Sequence, residues 1–371
     1  MNARGGRITG WGTALPAKVV TNHDLERTME TNDEWIVERT GIRTRFWGDD
    51  GPATLGIEAG RQAIAMAGLE PSDIDLLVFA TCSPEYILPG SSAIVQHGLG
   101  LQCGAFDLGA ACSGFMYGVV TAHGFLNMGM NRILVIGSEQ LSRIIDKTDR
   151  GTAILFGDGA GAAVIEACEG EGDLLGFDLG VDGSAVKILY TEHHDFTKMD
   201  GKEVFRRAVR AMVDSANRSL ERAKLSMDDI DWVIPHQANL RITDAAVRRL
   251  DWPIERTSTT VEWVGNTSAA SIPLALADEL EKGTIQPGDN VLMCGFGAGM
   301  TWASAVLRWG GVVRPTGHGA TWHTANPRPV KSGLFGPSMR TPSAPAATKI
   351  RALASPPDQI FVSPQPAAAH A

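Results

Sequence analysis

Leu69-Glu70-Pro71-Ser72-Asp73-Ile74-Asp75-Leu76-Leu77-Val78 recurs 156 residues on, as Leu225-Ser226-Met227-Asp228-Asp229-Ile230-Asp231-Trp232-Val233-Ile234. Each copy follows an Ala-rich helical stretch and opens an apolar strand. A second echo keeps the order and nearly the offset: Asn131-Arg132-Ile133-Leu134-Val135-Ile136-Gly137 against Asn290-Val291-Leu292-Met293-Cys294-Gly295. A generic helix-to-strand connection accounts for one such pair. Two pairs in the same order imply a duplicated fold with pseudo-twofold symmetry. Such a fold places a ligand site where its halves meet.

Outward from the repeat, short apolar runs read as buried strands: Leu76–Ala80, Ile133–Ile136, Trp232–Ile234 and Val291–Met293. Helical stretches at 57–67, 115–128, 203–223 and 268–282 alternate with them, which argues an α/β class with a central sheet. We divide the chain into an N-terminal half, 1–172, a C-terminal half, 173–309, and a Pro-rich tail, 310–371. The tail holds ten of the 19 prolines, six Lys and Arg and one acidic residue, so it reads as disordered.

Lys and Arg number 33 against 42 Asp and Glu, a net charge of −9 over 371 residues. The tail carries +5, which leaves the body at −14. An acidic body argues against general binding to nucleic-acid phosphates. No run of about 18 apolar residues suggests a membrane span. The first residues, MNARGGRITGWG, lack the apolar stretch of a signal peptide. The five cysteines form no CxxC pair, which argues against a disulfide framework or a zinc site. A cytoplasmic protein without a bound metal is the expectation.

Three polar residues stand among small neighbours. Cys112, in Gly109-Ala110-Ala111-Cys112-Ser113-Gly114, falls between a strand-like and a helix-like stretch. A thiol on a helix N-terminus is expected to have a lowered pKa, whereas a lone buried Cys is more often inert. His236, in Pro235-His236-Gln237-Ala238-Asn239, ends a buried strand, where α/β sheets place their sites; alone it fits a satisfied core histidine equally well. Asn266, in Gly265-Asn266-Thr267-Ser268, alone fits an N-cap. Together, a Cys, a neutral His and an Asn at element ends form a set suited to nucleophilic acyl transfer.

At this point the chain resembles the β-ketoacyl-acyl carrier protein synthase III family. The stretches that carry the resemblance are Thr31-Asn32-Asp33-Glu34-Trp35-Ile36-Val37-Glu38-Arg39-Thr40-Gly41-Ile42-Arg43, Ala110-Ala111-Cys112-Ser113-Gly114, Asp149-Arg150-Gly151, Phe156–Gly161, Pro235–Asn239, Gly265–Ser271 and Phe296–Trp302. They run in the family's order across residues 7–309.

The resemblance implies a thiolase-like duplicated αβαβα five-layer fold and a homodimer. It implies a decarboxylative Claisen condensation of acyl-CoA with malonyl-acyl carrier protein, through an acyl-Cys112 intermediate, at the start of fatty acid or polyketide synthesis. His236 and Asn266 would stabilise the enolate, and the backbone N–H groups of Cys112 and Ala298 would form the oxyanion hole. Coenzyme A contacts carry over to Trp35, Arg39 and Arg150, its passage to Val204 and Phe205, and the pantetheine neighbourhood to Asn239. Leu88 matches the position that closes the acyl pocket of the partner subunit. No cofactor is implied beyond the substrates.

Arg206, Arg207 and Arg210 on one helix, and Arg241, Arg248 and Arg249 on another, are candidate docking positions for acyl carrier protein, an acidic partner. The chain departs from the family in a short 183–199 segment beside the acyl passage, and in the tail. Two alternatives remain: an acyltransferase passing the Cys112 acyl group to an alcohol or amine, and a non-catalytic scaffold. The intact Cys–His–Asn set favours condensation over both.

Overall fold

A computed structural model describes residues 4–310. Apart from Gly310, the tail expected to be disordered lies outside the described residues. Nine strands carry two sheets: β1 (Arg4–Ala14), β2 (Leu76–Ala80), β3 (Gly104–Leu108), β4 (Arg132–Glu139), β5 (Gly159–Glu169), β6 (Leu174–Val181), β7 (Trp232–Pro235), β8 (Asn290–Gly297) and β9 (Thr301–Arg308). The first sheet has the order β1-β5-β4-β2-β3 and the second β7-β8-β9-β6. Read from β1 and from β6, both show the same succession of two antiparallel pairs followed by a parallel pair. The fifth strand of the first sheet, β3, pairs with β2 in parallel. Its counterpart in the second sheet is reduced to one bridge, Val233 to Thr257.

The duplicated sequence has a physical reason. In each copy the Asp just before the Ile closes a capping box on a 3-10 turn, Asp73 with Glu70 and Asp229 with Ser226. In each, the Asp just after the Ile anchors the neighbouring strand. Asp75 accepts from the N–H groups of Asn131 and Arg132 at 2.7 and 3.0 Å, and Asp231 accepts from that of Asn290 at 2.9 Å. The two echoes are therefore one device, a loop carboxylate that sets the register of an adjacent parallel strand.

Helices α1 (Asp33–Thr40), α2 (Pro52–Ala67), α3 (Ser91–Leu99), α4 (Gly114–Asn127), α5 (Gly201–Ala223), α6 (Leu240–Arg249) and α7 (Ser271–Lys282) complete the frame. One core joins both sheets through α4 and α7, with Phe115, Met116 and Val119 meeting Ile272, Leu276, Val135 and Met293. The helix α7 is buried from Ser271 to Leu280, as a helix packed on both sides must be. On the outer face of the first sheet, α2 and α3 pack Ala59, Ala63 and Val95 against Leu77 and Phe79. The helix α5 buries Val204, Ala208, Met212, Ala216 and Leu220 at spacings of four, a single stripe laid on the second sheet. The result is the expected five-layer αβαβα arrangement.

Candidate active site

The symmetry produces two matching elbows. Ala111–Ser113 forms a 3-10 turn leading into α4, and Ser268–Ala270 forms one leading into α7. Ala111 and Ser268 hold left-handed backbones of φ 47° and 48°. Each elbow projects the start of a central helix towards the other half. Cys112 sits on the first elbow, as expected. The second carries Asn266 just before it.

Beside the first elbow runs the end of β8. A Cβ on Gly297 would lie 2.7 Å from the Cys112 backbone nitrogen and 3.1 Å from the Ala111 Cβ. Only glycine permits that approach. A Cβ on Gly295 would lie 3.3 Å from the His236 Cβ and 4.0 Å from the Cys112 carbonyl oxygen, so Cys112 and His236 flank one glycine strand. Thr301 donates to the Ala110 carbonyl at 2.9 Å and ties the next turn, which carries Ala298, to the elbow.

His236 follows β7 and is fully buried. The Ser271 hydroxyl lies 2.5 Å from its Nδ1, and the Gln237 N–H reaches the same hydroxyl at 3.3 Å. Phe296 packs its ring against the imidazole at 5.4 Å, edge to face. Nε2 is buried without a hydrogen-bond partner. Burial drives the His236 pKa down to about 3, so the ring is neutral. The Asn266 Oδ1 accepts the Ser268 N–H at 2.9 Å, and its backbone pairs with Leu155 and Gly157. This is an N-cap-type bond to the elbow, and it leaves the Nδ2 amide group as the free end.

Cys112 is buried in a cavity of ≈190 Å³ lined by Cys82, Leu141, Ile144, Ile145, Phe156, Leu189, Ser268 and Ala298, among others. Burial pushes its thiol up to about 12, the Ser268 hydroxyl pulls it back, and the Glu139 carboxylate adds to the rise. This corrects the expectation of a lowered pKa: the thiol is buried in a mostly apolar pocket, and there desolvation outweighs the helix N-terminus. The short 183–199 segment still walls the cavity. Leu189–Tyr190 pairs with Lys198–Met199, and Leu189, Tyr190, Thr191 and Thr197 face the space next to Cys112.

The remaining candidates divide. Trp35 lies under the guanidinium groups of Arg39 and Arg150, at 4.4 and 4.5 Å from its ring centroid. Val204 is buried beside Phe296 and Met300, and Phe205 is half-buried with Arg241 6.0 Å from its ring centroid. Asn239 commits both ends of its amide, Oδ1 to the Arg241 N–H and Nδ2 to the Arg39 carbonyl, so it joins α1 to α6. Leu88 is 85% exposed and lines no cavity around its own chain's Cys112. Arg206 and Arg207 pair with Glu203, Arg207 also with Asp182, Arg210 with Asp214 and Arg248 with Asp244. Arg206, Arg207 and Arg210 line a separate open groove of ≈470 Å³. Arg241 and Arg249 have no ion-pair partner among the described residues.

Sequence reasoning missed Ser268, Ser271, Glu139 and Cys82. The first two stood inside the quoted Gly265–Ser271 run, where they read as small spacers. Glu139 and Cys82 lie at the ends of buried strands, the position that singled out His236.

Two family models match the chain: 3-oxoacyl-[acyl-carrier-protein (ACP)] synthase III over residues 106–183, and the C-terminal region of the same synthase over 220–309. A β-ketoacyl-[acyl-carrier-protein] synthase III of Bacillus cereus is 49% identical over 308 residues, 82% of this chain and 98% of that protein. The crystal structure of the 3-oxoacyl-(acyl carrier protein) synthase III of Pseudomonas aeruginosa aligns with a TM-score of 0.80 at 41% identity, covering 84% of this chain and all of that one. The priming β-ketosynthase of the R1128 polyketide pathway aligns at 0.79 and 37% identity, covering 82% and 97%.

Proposed function

Because the chain belongs to the β-ketoacyl-acyl carrier protein synthase III family, we propose that it condenses an acyl-CoA starter with malonyl-acyl carrier protein, releasing CO2 and giving 3-ketoacyl-acyl carrier protein. What supports the reading is Cys112 and His236 on either side of the glycine end of β8, His236 neutral with a free Nε2, and Asn266, its Nδ2 free, just before the second elbow.

In the first step Cys112 attacks the acyl-CoA thioester and coenzyme A leaves. The Cys112 and Ala298 N–H groups stabilise the oxyanion. In the second, His236 and Asn266 donate to the malonyl thioester carbonyl. The Ser271 hydroxyl, which accepts from the Gln237 N–H, donates a hydrogen bond to Nδ1 and so keeps the ring proton on Nε2. Two neutral donors then meet the enolate as CO2 departs. The enolate attacks acyl-Cys112 and frees the enzyme. No bound cofactor takes part.

Trp35, Arg39 and Arg150 suit an adenine nucleotide by stacking and charge. One guanidinium must leave the ring to admit the base. Arg241 and Arg249, the unpaired cations, would meet an acidic carrier protein, with the paired arginines as its rim. Tyr86, Ile87 and Leu88 are exposed at 59, 79 and 85%, and β3 has a neighbour on one side only. Both features suit a homodimer in which Leu88 closes the partner's acyl pocket. Among the described residues no helix is long and apolar enough to cross a membrane; the cytoplasm is the compartment we propose.

Intact-protein mass spectrometry tests the reading. An acyl-CoA should add its acyl mass to Cys112, and malonyl-acyl carrier protein should then discharge it as 3-ketoacyl-acyl carrier protein. An adduct that discharges only to an alcohol or amine would establish an acyltransferase instead.

A further inference from the structure

Glu139, at the end of β4, is fully buried and has no Lys, Arg or His within ion-pair distance among the described residues. Donors surround it instead. Its Oε2 accepts from the Thr81 hydroxyl at 3.1 Å and the Ser83 hydroxyl at 2.6 Å. Those hydroxyls accept in turn from the Ser83 and Gln140 N–H groups, which leaves their protons to the carboxylate. The Cys82 N–H reaches both carboxylate oxygens, at 3.2 and 3.1 Å. Glu139 Oε1 accepts from the Cys82 thiol at 3.2 Å and the Ser268 hydroxyl at 2.9 Å. A buried carboxylate so fully solvated by donors is costly to assemble, and no step of the condensation described above uses it.

Ser268 is the link to the site. The second elbow lies against β4, where a Cβ on Gly137 would overlap the Ala269 carbonyl oxygen. Glu139 stands two residues further on, on the same face of the strand, and holds the Ser268 hydroxyl. The Ser268 backbone is left-handed, at φ 48°. In a residue other than glycine that conformation persists only where its surroundings fix it. The Ser268 N–H donates to Asn266 Oδ1 at 2.9 Å. The Asn266 backbone is pinned separately, to Leu155 and Gly157, so the bond from Ser268 acts on the Asn266 side chain alone. The twin elbow is held differently. Ala111 takes the same backbone at φ 47° with no hydroxyl of its own, and the Thr301 hydroxyl grips the preceding carbonyl, that of Ala110, from outside.

We propose that Glu139 is a positioning residue for Asn266, acting through Ser268. This rests on the condensation reading, in which Asn266 donates to the malonyl thioester. The carboxylate fixes the Ser268 side chain, and the fixed elbow aims its N–H at Asn266 Oδ1. That bond decides which end of the amide is free. A flipped amide would set its NH2 against the Ser268 N–H, donor against donor, and would present an oxygen to the enolate. Held as it is, the amide presents Nδ2. Glu139 itself touches no substrate and moves no proton. It belongs to the first sheet and Asn266 to the second half of the chain, so the chain of bonds also sets one half against the other.

The test is decarboxylation of malonyl-acyl carrier protein, measured in the parent and in Asn266→Ala. In the parent background, Glu139→Gln keeps the shape of the side chain and sets an amide NH2 against the surrounding donors. It should slow the step about fivefold, the worth of one ordinary hydrogen bond. Ser268→Ala cuts the link, leaves the carboxylate its other donors and should have the same effect; Ala111 shows that alanine takes this backbone. Should Glu139→Gln fail to fold, Ser268→Ala makes the comparison by itself. In Asn266→Ala neither change should slow the step further, because the residue they position is gone. A packing defect would carry its loss into that background unchanged. A parent rate in Ser268→Ala, or losses that multiply with that of Asn266→Ala, would overturn the proposal. A parent rate in Asn266→Ala itself would instead overturn the role given to Asn266 in the condensation.

Discussion

The Ser271 hydroxyl lies 2.5 Å from Nδ1 of His236, while Nε2 of the same ring is buried with no partner. One nitrogen is thereby engaged by the scaffold and the other left without a partner. Ser271→Ala should leave acylation of Cys112 unchanged and slow decarboxylation of malonyl-acyl carrier protein about fivefold, the equivalent of one ordinary hydrogen bond of about 1 kcal/mol. Parallel assays of the two half-reactions decide it. A loss confined to acylation would place Ser271 in the wrong step.

His236 and Asn266 are the two donors proposed for the enolate, so their removal should separate the half-reactions more sharply. His236→Ala and Asn266→Ala should each spare acylation and lower decarboxylation by about 10²–10³-fold, the usual effect of losing one preorganised oxyanion donor. Equal loss of both steps would contradict the assignment.

How much of this arrangement could be read from residues alone depended on whether a local rule exists. The duplication was legible because a capping Asp and a strand-anchoring Asp leave the same local signature at Asp73/Asp75 and Asp229/Asp231. Cys112, His236 and Asn266 were legible because each ends an element among small residues. The direction of the Cys112 pKa was not. A helix N-terminus is visible in sequence, whereas the desolvation that outweighs it comes from the residues that pack around the thiol in the fold. Nor were Glu139 and Ser268 legible, 129 residues apart and joined only when the two halves fold together. The candidate docking arginines were legible as charges but not as pairs: Glu203, Asp182, Asp214 and Asp244 engage four of the six.

The buried His236 also sets a pH dependence. Its folded pKa, about 3, lies below its ordinary value of 6.5. Above 6.5 the ring is neutral in both states and the site costs nothing. As pH falls from 6.5 towards 3, the unfolded chain binds a proton that the native site refuses, and stability is lost progressively. Thermal melts from pH 7 down to 4 should therefore show a falling Tm, with a shallower slope in His236→Ala. Over the same range, down to the onset of unfolding, decarboxylation should show no inflection near 6.5, since the ring stays neutral. An inflection there would mean that His236 titrates as an exposed imidazole.

Gly297 gives a steric test of the oxyanion hole. Its Cβ position lies 2.7 Å from the Cys112 nitrogen, closer than real Cβ atoms come, so Gly297→Ala must displace either the elbow or the end of β8. On the proposed mechanism the elbow carries the Cys112 N–H and the turn that follows β8 carries the Ala298 N–H, the two donors to the acyl oxyanion. Acylation of Cys112 should fall by about 10²-fold or more. Because Nε2 of His236 approaches from another element, binding of malonyl-acyl carrier protein should change little. A variant that acylates normally would show that these two N–H groups are not the hole.

Trp35 tests the nucleotide end of the substrate, which takes no part in bond making. Trp35→Ala removes the platform for an adenine and the surface over which Arg39 and Arg150 lie at 4.4 and 4.5 Å. Base–aromatic stacking is worth about 1–3 kcal/mol, so KM for acyl-CoA should rise about tenfold with kcat nearly unchanged. Discrimination comes from a second substrate: an acyl-pantetheine, which lacks the nucleotide, should react equally with both proteins. If Trp35→Ala loses activity on acyl-pantetheine as well, Trp35 holds α1 in place rather than binding the base. Its partly buried contacts with Ile36, Ile145 and their neighbours would then be its whole role.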